Sequence, residues 1–182
     1  MRTRSKLATA TALTAAVGIA GLAPVAHAAE GDTTATFDVT AGALGVSVPT
    51  GPVSLGSVAS GATTHANRPL GNVTVTDTRG ALVATWVATV TSTNFTTGAA
   101  SANETVLNSA ISYSSGSPVS GSSGTGTFVP SAALTLGVAG TAAAWTAGVG
   151  NNTQIWNPQL SFTLLPSQVA GTYSGTINHS VL

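Results

Sequence analysis

The chain has 182 residues, five basic and five acidic side chains, and no cysteine. That excludes disulfides, thiolate nucleophiles and cysteine-based metal sites. So few Lys and Arg also exclude a phosphate-neutralising nucleic-acid surface and docking on anionic lipid, and a mean hydropathy of +0.36 with low charge opposes charge-driven disorder.

Arg2, Arg4 and Lys6 open the chain, an apolar run follows from Leu7 to Val25, and Ala26-His27-Ala28 is a small-x-small cleavage signature. This predicts a secretory signal peptide over residues 1–28, its helix cleaved on export, and one domain over residues 29–182. No second apolar run is long enough to span a bilayer, so the mature chain is expected to have no membrane span. Beyond Ala28 the charges are Arg68 and Arg79 against Glu30, Asp32, Asp38, Asp77 and Glu104. Ser, Thr and Asn carry the solubility.

Period-two alternation dominates the rest. Thr33, Ala35, Phe37 and Val39 alternate with Thr34, Thr36, Asp38 and Thr40. The pattern continues at Leu44, Val46 and Val48, then at Val73 and Val75. Trp86, Ala88 and Val90 share one side of Val83–Thr91, and Leu160, Phe162 and Leu164 share another face. Tyr173, Gly175, Ile177, His179 and Val181 make the last strand face. Ser114–Gly126 is rich in Gly and Ser and predicts a flexible loop. Val138-Ala139-Gly140-Thr141 recurs as Val169-Ala170-Gly171-Thr172, read as two similar turns leading into strands. Pro and Gly punctuate the runs, and no segment after Ala28 shows a capped helical stripe. The pattern predicts an all-β fold, an antiparallel sandwich of roughly eight to ten strands.

Two segments carry a family resemblance. Val73-Thr74-Val75-Thr76-Asp77-Thr78-Arg79-Gly80 precedes Trp86-Val87-Ala88 and Phe95, and Leu165-Pro166 precedes Ala170-Gly171-Thr172-Tyr173 and a final strand. The arrangement, over residues 70–182, resembles the WxL domain of Gram-positive surface proteins. Ala88 stands at the third position of the first Trp-x-Leu motif, and His179-Ser180-Val181 stands where the second would fall. The resemblance implies a secreted, β-rich protein attached non-covalently to peptidoglycan.

The candidate ligand-binding side chains are Trp156, Trp86, Asp77, Arg79 and Tyr173. Trp86 and Trp145 sit among apolar neighbours, where a core position is the default for an indole. Trp156 precedes Asn157-Pro158, a strand edge or loop, which makes it the best of the three indoles for an exposed platform under a sugar face, with a core position as the other reading. Asp77 and Arg79 flank a turn; they either staple it or leave Arg79 to grip an anionic group of a wall polymer. His65 and His179 lack the spacing of a metal site, and no nucleophile elbow, phosphate loop or dinucleotide fingerprint is present. No catalytic residue, metal or cofactor is therefore expected. The expected function is that of a non-catalytic cell-surface protein bound to cell-wall glycan or peptidoglycan, with other surface proteins as further partners. The alternative is a self-assembling structural or adhesive subunit.

Overall fold

The computed structural model describes residues 33–182. Alternation becomes strands wherever a neighbouring strand completes the backbone hydrogen bonds. In chain order these are β1 (Leu44–Ser47), β2 (Thr64–Pro69), β3 (Val73–Asp77), β4 (Trp86–Ser92), β5 (Phe95–Thr96), β6 (Thr105–Val106), β7 (Ile111–Ser114), β8 (Ser123–Pro130), β9 (Leu134–Thr135), β10 (Gly140–Trp156), β11 (Gln159–Thr163) and β12 (Ile177–Val181). Among the described residues the helical content is two single 3₁₀ turns, Ala102–Glu104 and Asn108–Ala110. No helix of the described residues is long and apolar enough to cross a membrane.

The predicted all-β antiparallel architecture is present. A six-stranded sheet runs β1-β3-β10-β4-β12, with β8 also on β10. A four-stranded sheet runs β2-β11-β7-β9, and β5 pairs β6. Together they make a nearly closed, sandwich-like barrel.

β10 organises the larger sheet. Its first part pairs β4, with Trp145 opposite Trp86, and its last part pairs β3, with Trp156 opposite Val73. So β3 and β4 follow one another along a single rail. On a flat strand Trp145 and Trp156 would lie about 36 Å apart. Yet Trp86, the partner of Trp145, stacks on Trp156 with ring centroids 6.4 Å apart. The rail is therefore bent, and its halves face each other. The bend falls where Ala147 (φ 51°) and Gly150 (φ 69°) adopt left-handed backbone and the register against β8 shifts after Thr146. The loop between β3 and β4 bridges it: Ala84 N–H donates to Gly148 O at 2.9 Å and Gly150 N–H to Ala81 O at 2.8 Å.

The core between the layers holds Val75, Trp86, Val90, Ile111, Trp156 and Leu160, all at most 2% exposed. Each such side chain contributes about 1.5–3 kcal/mol by leaving water.

Two expectations are corrected. Thr33–Thr40 forms no strand, and Val39 stays exposed; alternation without a pairing edge leaves the backbone to water. Ser114–Gly126 is not a loose loop. Ser115 is fully buried and exchanges hydrogen bonds with Ser131, and β8 begins at Ser123. Its glycines serve close approach: a Cβ on Gly126 would lie 2.6 Å from the Trp145 ring, and one on Gly124 would collide with Asn152. The predicted signal peptide, residues 1–28, lies outside the described residues.

Candidate functional site

Asp77 ends β3 and its side chain is fully buried. Arg79 donates Nε to Oδ1 at 2.9 Å and Nη2 to Oδ2 at 2.8 Å, and its backbone N–H reaches Oδ1 at 3.0 Å. Arg79 Nη2 also donates to Thr85 O at 2.8 Å. The Arg79 hydrogen bonds hold the Asp77 carboxyl below its usual range against the opposing effect of burial. The fork that could have gripped a wall anion is spent on Asp77. The pair is an internal clamp on the turn after β3, so the ligand-binding expectation for Asp77 and Arg79 is corrected.

The ligand-binding readings of Trp86 and Trp156 are corrected in the same way, with Trp86 taking the core position its apolar neighbours favoured. Trp86 is 2% exposed and Trp156 is 0% exposed, so neither offers a face to a sugar. Asn157-Pro158 resembled a surface turn, but it folds inward. Pro158 is fully buried and its carbonyl accepts from Leu70 N–H at 2.9 Å, while Asn157 Oδ1 accepts from Gly71 N–H at 3.0 Å. Those bonds press the end of β10 against the β2–β3 connection. Trp145 is buried as expected.

Sequence reasoning missed Tyr113, which joins two of the aromatic positions. Trp156 Nε1 donates to Tyr113 Oη at 2.9 Å, and the same oxygen lies 3.1 Å from His179 Nε2. All three side chains are buried. Burial pushes the Tyr113 phenol up and the His179 imidazole down to about 4. The available signal was the alternation of Ile111 with Tyr113 in β7.

Tyr173 is the one candidate that lines a cleft. This cleft encloses about 700 Å³ between the segments 52–62 and 164–175, and Phe95, Val106, Phe162 and His65 also line it. Tyr173 Oη lies 2.9 Å from Val169 O and 3.2 Å from Asn103 O, which fixes the ring at the rim. Gln168 braces the same loop by donating Nε2 to Thr105 O at 2.8 Å. Neither Asp nor Glu, Lys nor Arg lines the space. Ser54, Ser57, Ser60, Thr172 and Ser174 supply hydroxyls instead.

The segment 48–62 forms no strand. Arg68 Nη2 lies 3.2 Å from His65 Nδ1, and His65 Nε2 lies 2.9 Å from Leu55 O. Arginine can only donate, so Nδ1 accepts and the His65 proton sits on Nε2, donating to Leu55 O. Among the described residues this is the segment's hydrogen bond to the sheets.

The acids do not converge. Asp77 is closed off, and Glu104 accepts from Ser101 N–H at 3.0 Å in a capping box. Among the described residues no group of three or more His, Cys, Asp or Glu could hold a metal ion. No protein-family model, curated protein or solved structure matches the chain.

Proposed function

We propose that the protein is a secreted, non-catalytic cell-surface domain that associates non-covalently with the cell wall by holding neutral glycan in the cleft beside Tyr173. The observation that carries this is the lining: hydroxyls, an amide and aromatic rings set among aliphatic side chains, with no Asp, Glu, Lys or Arg, over about 700 Å³. Sugars are recognised by that combination, apolar ring faces against aromatics and hydroxyls against neutral hydrogen-bonding groups. The basic-then-apolar N-terminus supports export, and the WxL-like segments support a peptidoglycan partner. The test is co-sedimentation of the purified protein with purified peptidoglycan. Retention above a matched non-binding control is expected, and retention equal to the control defeats the reading.

A second reading is self-assembly, favoured by β8. This strand is largely exposed, carries no charge and pairs with β10. Among the described residues its outer edge has no strand partner. Such an edge is a template for another copy unless charge or Pro guards it, and here Pro130 guards one end. Light scattering over a concentration series separates the readings: ordered growth without wall material favours assembly.

A further inference from the structure

Across the segment Pro52–Leu55 from the Tyr173 cleft lies a second cleft of about 470 Å³. Pro49, Val53, Leu70, Phe95 and Ile177 make it mostly apolar, and His179 lines it too. Pro52, Val53, Leu55, Phe95, Ser174 and Gly175 line both spaces, so the two clefts adjoin, with Pro52–Leu55 forming part of the wall between them.

The chemistry of His179 is fixed from behind. Tyr113 Oη receives the Trp156 Nε1 hydrogen, and it has one hydrogen of its own to give. Among the described residues the acceptor for that hydrogen is His179 Nε2, at 3.1 Å. An accepting Nε2 leaves the neutral ring's proton on Nδ1. Nδ1 is buried, and among the described residues it has no partner. A buried donor without an acceptor is a rarity that calls for a physical reason. The relay Trp156–Tyr113–His179 thus ends in an oriented, unused N–H.

The wall that faces His179 across this cleft, Pro52–Leu55, is lightly held. The segment 48–62 reaches the sheets through the His65–Leu55 hydrogen bond and through Leu55 packing on the core. Displacing Leu55 widens the cleft that His179 lines.

We infer that this second cleft is a binding site for a small or chain-like apolar molecule bearing one uncharged hydrogen-bond acceptor, a ketone, ester or amide, whose oxygen accepts from His179 Nδ1–H. A pure hydrocarbon would leave the donor unpaired. A carboxylate would sit against apolar walls with no Lys or Arg lining the cleft. The neutral acceptor satisfies the donor without bringing a charge in. This site adjoins the Tyr173 cleft but turns on His179, which lines the second cleft alone, and stands whether or not glycan binds beside Tyr173.

The test is NMR titration of the purified, ¹⁵N-histidine-labelled full chain with 2-nonanone, its isosteric alkene 2-methyl-1-nonene, and nonanoate. The ketone is expected to move the His179 Nδ1 resonance and to bind roughly tenfold tighter than the alkene or nonanoate. His179→Phe is expected to erase the ketone's advantage over the alkene. Should that variant fail to fold, Leu55→Ala tests the same site: it widens the cleft that Leu55 lines, and the ketone is expected to bind tighter with its preference kept. Equal affinity for ketone and alkene, tighter binding of nonanoate, no response of His179 at saturating ketone, or no binding at all overturns the assignment.

Discussion

Trp86 Nε1 donates to Asn152 Oδ1 at 2.9 Å, a buried hydrogen bond between β4 and the far side of the bend in β10. Asn152 is 3% exposed, and its amide nitrogen lies 3.5 Å from Asp77 Oδ2. One side chain therefore links the stacked indoles to the Asp77–Arg79 clamp. Asn152→Leu should orphan the indole N–H and cost about 1–3 kcal/mol. Chemical denaturation of the variant beside wild type measures this; an unchanged midpoint would show that the bond holds nothing in place.

Arg79→Ala should leave the Asp77 carboxylate buried and unpaired. Loss of a partner from a fully buried pair costs about 3–5 kcal/mol. Because the Arg79 side chain is 36% exposed, solvent screening lowers the expectation to about 2 kcal/mol. The Asp77 carboxyl is depressed in the fold, so its contribution is complete above 3.8 and fades as pH falls through the lower folded value. Thermal melts of Arg79→Ala at neutral pH and near pH 2 should therefore converge on wild type at the acid end.

His179 sets a second acid dependence in a different window. Its pKa falls from 6.5 to about 4 through burial. Between those values the unfolded chain binds a proton that the folded chain refuses, so stability is complete above the upper value and declines as pH drops toward the lower. The full loss amounts to about 3 kcal/mol. Denaturant midpoints between pH 7 and 4 should trace the decline, and His179→Gln should flatten it. A wild-type midpoint constant over that range would contradict the buried neutral imidazole.

Tyr173→Ala should lower retention on peptidoglycan roughly tenfold, the scale of one lost aromatic contact. The ring lies at the rim, half-buried, so the melting temperature should move little. A binding loss accompanied by a large drop in melting temperature would mean that the loop, rather than the ring surface, had failed.

His65→Ala should release Leu55 O and loosen the segment 48–62. Limited proteolysis should then cut within that segment faster than in wild type while the sheets persist, as expected of a low-stability local unit. Unchanged cleavage would show that Leu55 packing alone holds the strap.

The sequence made strand faces legible where period two was uninterrupted. Val73 with Val75, Trp86 with Ala88 and Val90, and Leu160 with Phe162 all point inward as their spacing implies. β10 escaped because Ala142–Ala144 and Gly148–Gly150 do not alternate by polarity; its register is imposed by β3, β4 and β8. The platform reading of Trp156 failed because local turn residues say nothing of what packs over them, and Asn157-Pro158 is covered by the β2–β3 connection. Tyr173 was found as a residue but not as the wall of a cleft, since the opposing wall is some hundred residues away in the chain. Tyr113 went unnoticed because its partners, Trp156 and His179, are joined to it by tertiary contact alone.

Residues 73–92 gain their shared rail only when residues 140–156 are present, because β3 and β4 dock end to end along β10. A chain delivered N-terminus first can pair β1 with β3, but it holds β2 and β4 unpaired until most of its length has emerged. Long-range pairing of this kind slows folding. If the chain is exported as proposed, that delay is an asset: the larger sheet cannot close before the last strands clear the passage.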